Sequence, residues 1–281
     1  MPLLEVLQGA AAYLEKQEVE QARLNAEHLL AHVLNIKRLE LYLQFDRPLS
    51  ETERAPLRNL VRQRGAGRPL QHLLGTVEFC GRTFRSDPRA LIPRPETEQL
   101  VERALTYAPP QDILDVATGS GVIAISLAIG FPKARVKATD ISNDALLLAT
   151  ENASLLNVNT VCFEKADLFP TDSLCYDLIT ANLPYIPTDE ISMLDREVAH
   201  DPILALNGGS DGLELIGRFV SMALSHLNPD GRILMEIGHD QDLRVIKLLS
   251  EHNYRDILSF RDYQGIPRFI EAVKGRTAES L

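Results

Sequence analysis

The stretch Asp112–Ala128, DILDVATGSGVIAISLA, decides the fold. DILDVA (112–117) is an apolar run of strand length, and VIAISLAIG, from Val122, continues as a helix. DVATGSG (Asp115–Gly121) is therefore a turn that ends a strand and opens a helix. Gly119 and Gly121 let a ligand approach the backbone, and the helix N-terminus offers unpaired N–H groups. A glycine pair alone says little about which ligand. The dinucleotide fingerprint needs G-x-G-x-x-G, and positions 117 and 124 are both Ala, so a pyrophosphate cradle of that kind is incomplete.

The segment downstream narrows the ligand. ARVKATD (134–140) reads as the second strand, and Asp140 closes it about twenty residues after the turn, the usual separation for a carboxylate that binds ribose hydroxyls. Asp167, in KADLF, ends a third strand and can face an adenine. Three acids at strand ends (Asp115, Asp140, Asp167) suit a cationic ligand better than a pyrophosphate, and S-adenosylmethionine carries both a sulfonium and an ammonium. A fourth strand, YDLITAN, runs into TANLPYIP (Thr180–Pro187). Asn and Pro are common turn residues, which is the bland account of this loop. The chemical account is that Asn182, through its side-chain oxygen, and Leu183, through its backbone carbonyl, accept hydrogen bonds from an NH2 group that is a poor nucleophile. Pro184 stiffens the loop and Tyr185 can stack on a planar group.

The rest of the chain frames this site. Residues 3–73 read as helices, with apolar residues at three-and-four spacing and a capping box at Ser50 and Glu53. His28 and His32 lie four apart, but no further ligand falls at useful spacing, so no metal site is expected. Thr76–Phe84 alternates around a Cys-Gly turn and reads as a hairpin. From residue 111 strands and helices alternate, giving a parallel sheet covered on both faces. Two closing strands, YRDILSF and PRFIEAV, share a short link and imply an antiparallel edge.

With 281 residues, 45% of them hydrophobic, the chain can bury a real core, in one large domain or two ordinary ones. No apolar run approaches the ~20 residues needed to span a bilayer. The N-terminus lacks a signal-peptide pattern, and three scattered cysteines fit a reducing, cytoplasmic setting. A net charge of −10 argues against binding duplex DNA. The run Arg54, Arg58, Arg62, Arg64 and Arg68 interrupts that acidity; a solvated helix face accounts for it more simply than an acidic or RNA partner.

Five segments in fixed order, LIPRPETEQLVE (91–102), DVATGSGVIAISLA, the NLPYI loop, DPILALNGGSDGLELI (201–216) and GRILMEIGHDQ (231–241), resemble the PrmC/HemK family, the peptide chain release factor N(5)-glutamine methyltransferases. The resemblance runs from about residue 20 to 273. IPRPETE together with N-x-P-Y and GG-x-DGL is specific, whereas the acceptor loop alone also occurs in adenine-N(6) DNA methyltransferases. It implies a class I, Rossmann-like α/β fold with a seven-stranded, mostly parallel sheet and an antiparallel edge strand. It further implies a helical domain over 1–73 that recognises the release factor, a β-hairpin linker over 74–87 and an S-adenosylmethionine-dependent methyltransferase domain over 88–281. Ala117, Thr118, Gly119, Ser120 and Gly121 would then hold the methionine part of the cofactor, Asp140 the ribose, and Asp167 with Leu168 the adenine. Asn182, Leu183, Pro184 and Tyr185 would grip the glutamine of the Gly-Gly-Gln motif, with Asn182, Pro184 and Tyr185 catalytic and Asn182 also touching the cofactor.

The expected product is S-adenosylhomocysteine, the expected partner a class 1 release factor, and the expected state a monomer without metal, DNA or membrane. Readings weighed against it are a glutamine of another translation protein, adenine in DNA, and a cofactor-binding module without turnover. Three residues depart from the family's usual pattern: Ala117 for Gly, Leu183 for the first Pro of Asn-Pro-Pro-Tyr, and Asp201 for Glu. If position 117 needs a positive φ, Ala costs about 1 kcal/mol there.

Overall fold

A computed structural model describes residues 1–275, which gather into two compact units: 1–76 with 195–200, and 77–194 with the described residues from 201 onward. The first unit is built from α1 (Leu3–Lys16), α2 (Ala22–Leu34), α3 (Glu51–Gly65) and α4 (Leu70–Leu74). Their apolar faces meet at fully buried Leu3, Leu7, Leu14, Leu29 and Leu30. Ser50 and Glu53 form the expected capping box at the start of α3. The arginine run divides: Arg54 and Arg58 pair with Glu51 at the surface, whereas Arg64 is buried. Its guanidinium donates to Asn25 Oδ1 at 2.6 Å and to Glu197 Oε1 at 2.5 Å, so it holds residues 195–200 to the helices.

Apart from Thr76 at its start, the hairpin of β1 (Thr76–Phe79) and β2 (Arg82–Arg85) belongs to the larger unit. Cys80 and Gly81 both take positive φ, 48° and 69°, the conformation that two-residue hairpin turns require. Phe79 and Phe84 from the hairpin enter the same core as α5 (Pro95–Ala104) and α6 (Val122–Gly130). The sheet strands are β3 (Asp112–Val116), β4 (Arg135–Asp140), β5 (Val161–Lys165), β6 (Tyr176–Asn182), β7 (Leu227–Glu236), β8 (Tyr254–Arg261) and β9 (Pro267–Lys274), with α7 (Asn143–Leu155), α8 (Glu214–His226) and α9 (Asp242–Glu251) between them.

Strand order is β5-β4-β3-β6-β7-β9-β8, parallel from β5 to β7, with β9 antiparallel to both neighbours. This is the expected seven-stranded α/β sheet; its antiparallel strand is inserted one place in from the edge, with β8 outermost. Ile113, Leu114 and Val116 are fully buried because helices cover both faces, which is why β3 carries apolar residues on both faces, interrupted in its interior by the buried Asp115. The chain runs outward from β3 to β5 and then crosses back to β6 on the other side of β3. That reversal opens a crevice at the carboxyl ends of β3 and β6, where open α/β sheets bind ligands. Among the described residues no helix is long and apolar enough to cross a membrane.

Candidate active site

A cavity of about 360 Å³ occupies that crevice, a size suited to a small-molecule ligand. On one side the turn after β3 supplies Ala117, Thr118, Gly119 and Ser120. Gly121 closes the turn, its N–H donating to Thr118 O at 2.9 Å, but does not line the cavity. Thr118 is pinned from below: its hydroxyl donates to Asp115 Oδ2 at 2.6 Å, and Thr180 donates to Asp115 Oδ1 at 2.8 Å. Asp115 is fully buried and absent from the lining, and burial pushes its carboxyl up to about 6. It braces the turn and does not line the cavity, contrary to the expectation that it joins Asp140 and Asp167 as one of three strand-end acids suiting a cationic ligand.

Asp140 does line the cavity. Backbone N–H groups of Gly119 (2.9 Å) and Ser142 (2.8 Å) each take one of its oxygens, fixing the carboxylate while leaving lone pairs for hydroxyls. Burial raises its pKa and these N–H donors oppose the rise. Asp167 and Leu168 form the next stretch of wall. Asp167 accepts from Arg218 of α8 at 2.7 Å, and Leu168 is held at φ 68° with its carbonyl taking the Thr139 hydroxyl at 2.6 Å. The lining (a carboxylate fixed by backbone N–H groups, the turn backbone, and apolar walls from Ala90, Ile141 and Leu204) fits an adenosine-bearing cation. No cluster of metal-binding side chains occurs among the described residues.

The opposite wall is Asn182, Leu183 and Pro184, at the end of β6. Tyr185 lies outside the lining; its ring packs against the apolar core, and burial with Glu236 nearby raises its pKa. The loop is clamped by the GGSDGL segment. Ile186 N donates to Leu206 O and Gly208 N to Ile186 O, a parallel bridge between the two stretches. A Cβ on Gly208 would stand 2.8 Å from Pro184 O, and one on Gly212 would stand 2.3 Å from Tyr185 O, so only glycine admits this approach. Gln241 then staples the three pieces together, donating to Tyr185 O (3.0 Å) and Gly212 O (3.3 Å) while accepting from Gly238 N (2.8 Å).

Two more contacts frame the cavity. Arg94 Nη2 donates to Asp201 Oδ2 at 2.8 Å and Ile92 N to its Oδ1 at 3.2 Å, joining the 90–94 segment to Pro202 and Leu204 on the far rim. Behind Asn182, Thr97 donates to Glu236 Oε2 at 2.7 Å and accepts from Asn182 Nδ2 at 3.3 Å.

Comparison with known proteins identifies the family. Residues 5–75 match the PrmC N-terminal domain and residues 110–255 a methyltransferase domain. A release factor glutamine methyltransferase of Geobacter sulfurreducens is 40% identical, covering 94% of this chain and 94% of its own. One of Rhodopirellula baltica is 37% identical over 97% and 96%. The chain belongs to the PrmC family of release factor glutamine methyltransferases. Solved structures share the sheet at lower identity: a methyltransferase from Pyrococcus furiosus (TM-score 0.53, 18% identical, 69% of this chain and 89% of its own) and the T. thermophilus 16S rRNA N2 G1207 methyltransferase in complex with AdoMet and guanosine (0.52, 16%, 71% and 49%).

Against the PrmC pattern, each departure has a local account. Ala117 does sit at positive φ, 56°, so the expected strain is present. Leu183 gives up proline's rigidity but is buried in the cluster that holds Leu168 and Ile216, and the bridge to Gly208 fixes the loop from outside. Asp201 reaches both Arg94 and Ile92 despite its shorter side chain. The residues that local reading missed are Thr97, Glu236, Gln241, Gly208 and Gly212. All fall within the IPRPETE, GG-x-DGL and MEIGHDQ segments, so the motifs marked them while their partners, far away in sequence, remained invisible.

Proposed function

We propose that this protein is an S-adenosylmethionine-dependent methyltransferase acting on the side-chain amide nitrogen of the glutamine in the Gly-Gly-Gln motif of class 1 release factors. The observation that carries the reading is that the Ala117–Ser120 turn, Asp140 and the Asn182–Pro184 loop open into one cavity. S-adenosylmethionine, when bound, supplies an electrophilic methyl group. Asp140 would hold ribose hydroxyls, the turn would present backbone to the methionine part, and Asp167 with Leu168 would border the adenine. The substrate class is supported by relatives named release factor glutamine methyltransferases, matched over nearly their whole length.

An amide nitrogen is a weak nucleophile because its lone pair is delocalised into the carbonyl. Asn182 Oδ1 and the Leu183 carbonyl would accept its two N–H bonds, raising electron density on nitrogen and orienting it towards the electrophile. Pro184 holds these acceptors still, so rate enhancement comes mainly from positioning. The test is transfer of labelled methyl from S-adenosylmethionine to a purified class 1 release factor, with the Gly-Gly-Gln glutamine changed to alanine as control. Label on the wild-type factor alone is the expected result. No label with cofactor still bound overturns the substrate, and no binding overturns the cofactor.

A further inference from the structure

Acceptor chemistry makes one demand on Asn182 that its own side chain does not satisfy. It must present oxygen, not NH2, to the substrate amide, yet the two ends of a carboxamide are nearly the same shape. What stands behind Asn182 breaks that symmetry. Glu236, its register partner at the end of β7, is 2% exposed, and Thr97, in the first turn of α5, is 3% exposed. Ionised, as it is at pH above about 7, the Glu236 carboxylate can only accept hydrogen bonds. The Thr97 hydroxyl has a single proton and donates it to Glu236 Oε2 at 2.7 Å. Its lone pairs then face Asn182, which can meet them only with its NH2, and Asn182 Nδ2 donates at 3.3 Å. The chain of bonds therefore runs one way, from amide to hydroxyl to carboxylate, and turns Asn182 Oδ1 away from Thr97.

We propose that Thr97 and Glu236 are positioning residues that lock the Asn182 carboxamide with its oxygen towards the substrate NH2, an inference that rests on the reading of Asn182 as the acceptor of that group. It gives the IPRPETE segment a part in the reaction: Pro95 opens α5, Arg94 anchors its start to Asp201, and the helix brings Thr97 against Asn182 at the edge of the cavity. It also explains a buried carboxylate that has no ion pair among the described residues. Burial pushes Glu236 up to about 7, while Thr97, the Arg268 charge and Asn182 pull it down, and Glu96 pushes it further up.

The experiment is steady-state methylation of a class 1 release factor at pH 8.5, where Glu236 is ionised, by this enzyme and by Thr97→Val, Thr97→Ser and Glu236→Gln, with calorimetry of S-adenosylmethionine binding to each. Thr97→Val keeps shape and removes the relay. Glu236→Gln keeps size but adds a donor, which lets Thr97 turn its proton towards Asn182 and invites the amide to flip. We expect kcat to fall about tenfold to a hundredfold in both, the worth of one misdirected transition-state hydrogen bond. KM for the release factor and the cofactor dissociation constant stay within about twofold, and Thr97→Ser returns kcat to within about threefold of wild type. Wild-type kcat in Thr97→Val and Glu236→Gln overturns the proposal. So does a loss of kcat matched by loss of cofactor binding and not restored by serine, because that pattern marks a structural role. If Thr97→Val does not fold, Glu236→Gln decides alone. Absence of transfer by the wild-type enzyme would instead refute the substrate reading itself.

Discussion

Where the cavity is walled by the turn after β3, the bonds that shape it are short in sequence. Thr118 reaches Asp115 three residues away and Gly119 reaches Asp140 twenty-one away, on the adjacent strand. Where it is walled by Asn182–Pro184, the bonds are long. Asn182 meets Thr97 across 85 residues, Thr97 meets Glu236 across 139, and Gln241 reaches back 56 to Tyr185. The first wall is one supersecondary unit with a built-in acid. The second is a bare loop that takes its shape from helix α5, the ends of β7 and the glycine segment 208–212. A local wall fails locally, in affinity for what it holds, whereas an assembled wall fails in geometry, and so in rate.

Asn182→Ala gives the sharpest form of this contrast. Removing the acceptor should lower kcat about a thousandfold, roughly 4 kcal/mol of transition-state stabilisation, while the cofactor dissociation constant stays within about threefold. Single-turnover kinetics and calorimetry on the same preparation separate the two. Equal losses in both would mean that the walls are not independent.

Gly208→Ala tests the assembly without touching a reacting group. The new Cβ would lie 2.8 Å from Pro184 O, Gly212 O and Tyr185 Cα, all backbone atoms that can yield only by moving the loop. A displacement near 1 Å is enough to cost about a hundredfold in kcat. Near-normal turnover would show that the clamp is dispensable and that Leu183 burial alone holds the loop.

Glu236 lets the comparison be made in stability as well. Its pKa rises from 4.5 to about 7 on folding, so the folded state holds the proton more tightly. Its contribution is fully favourable below pH 4.5 and is lost as pH climbs to about 7, a swing of up to about 3 kcal/mol at 1.36 kcal/mol per unit. Burial is the largest cause, modified by Thr97 and Glu96 of α5, Arg268 of β9 and Asn182, and Glu236 in turn raises the pKa of Tyr185. Glu236→Gln should therefore be more stable than wild type at pH 8 and show a flatter decline between pH 4.5 and 7 in urea unfolding. Asp115, raised from 3.8 to about 6, adds a slope of the same sign in both proteins and cancels in the difference. A variant both more stable and slower would place Glu236 among residues kept for function at a cost in stability. An unchanged slope would mean that Glu236 titrates normally and is not desolvated.

These differences explain how much was legible in the sequence. The β3 turn, Asp140 and the seven strands could be read because period, glycine placement and a fixed spacing are local signals. Asn182 and Pro184 could be located but not explained. Nothing near residue 182 shows that a threonine in the first turn of α5 fixes its amide, or that Gly212 must lack a side chain because Tyr185 O lies where a Cβ would sit. Asp115 failed in the opposite sense: an acid at a strand end looks like a ligand contact until two threonine hydroxyls from neighbouring segments are seen to consume it. Tyr185 likewise reads as a stacking platform, while its ring belongs to the core.

Asp140→Ala probes the local wall. The carboxylate is already positioned by Gly119 and Ser142, so its loss removes ready-made acceptors and also frees the turn. S-adenosylmethionine affinity should weaken about thirtyfold, roughly 2 kcal/mol for hydrogen bonds to a charged group, with kcat at saturating cofactor changed less than threefold. An unchanged dissociation constant would remove the ribose assignment. A fall in kcat at saturation would show that the turn also shapes the acceptor wall.

Ala117→Gly has the smallest expected effect and asks whether the local wall carries strain. At φ 56° an alanine is about 1 kcal/mol above its favoured conformations. Glycine relieves that strain but adds freedom to the unfolded chain, worth about 0.4–1 kcal/mol in the other direction. Ala117 is also partly buried against the core cluster that holds Val116 and Leu168, and the packing of its methyl is lost. The residual gain is therefore a few tenths of a kcal/mol, a rise in unfolding temperature of about 1 °C, with kcat within twofold of wild type. A drop in unfolding temperature would mean that the methyl contributes more by packing than it loses by strain, in which case alanine at this position is a stabilising choice. A rise of several degrees, with cofactor affinity improved as well, would mean instead that the strained residue was holding the turn away from its ligand.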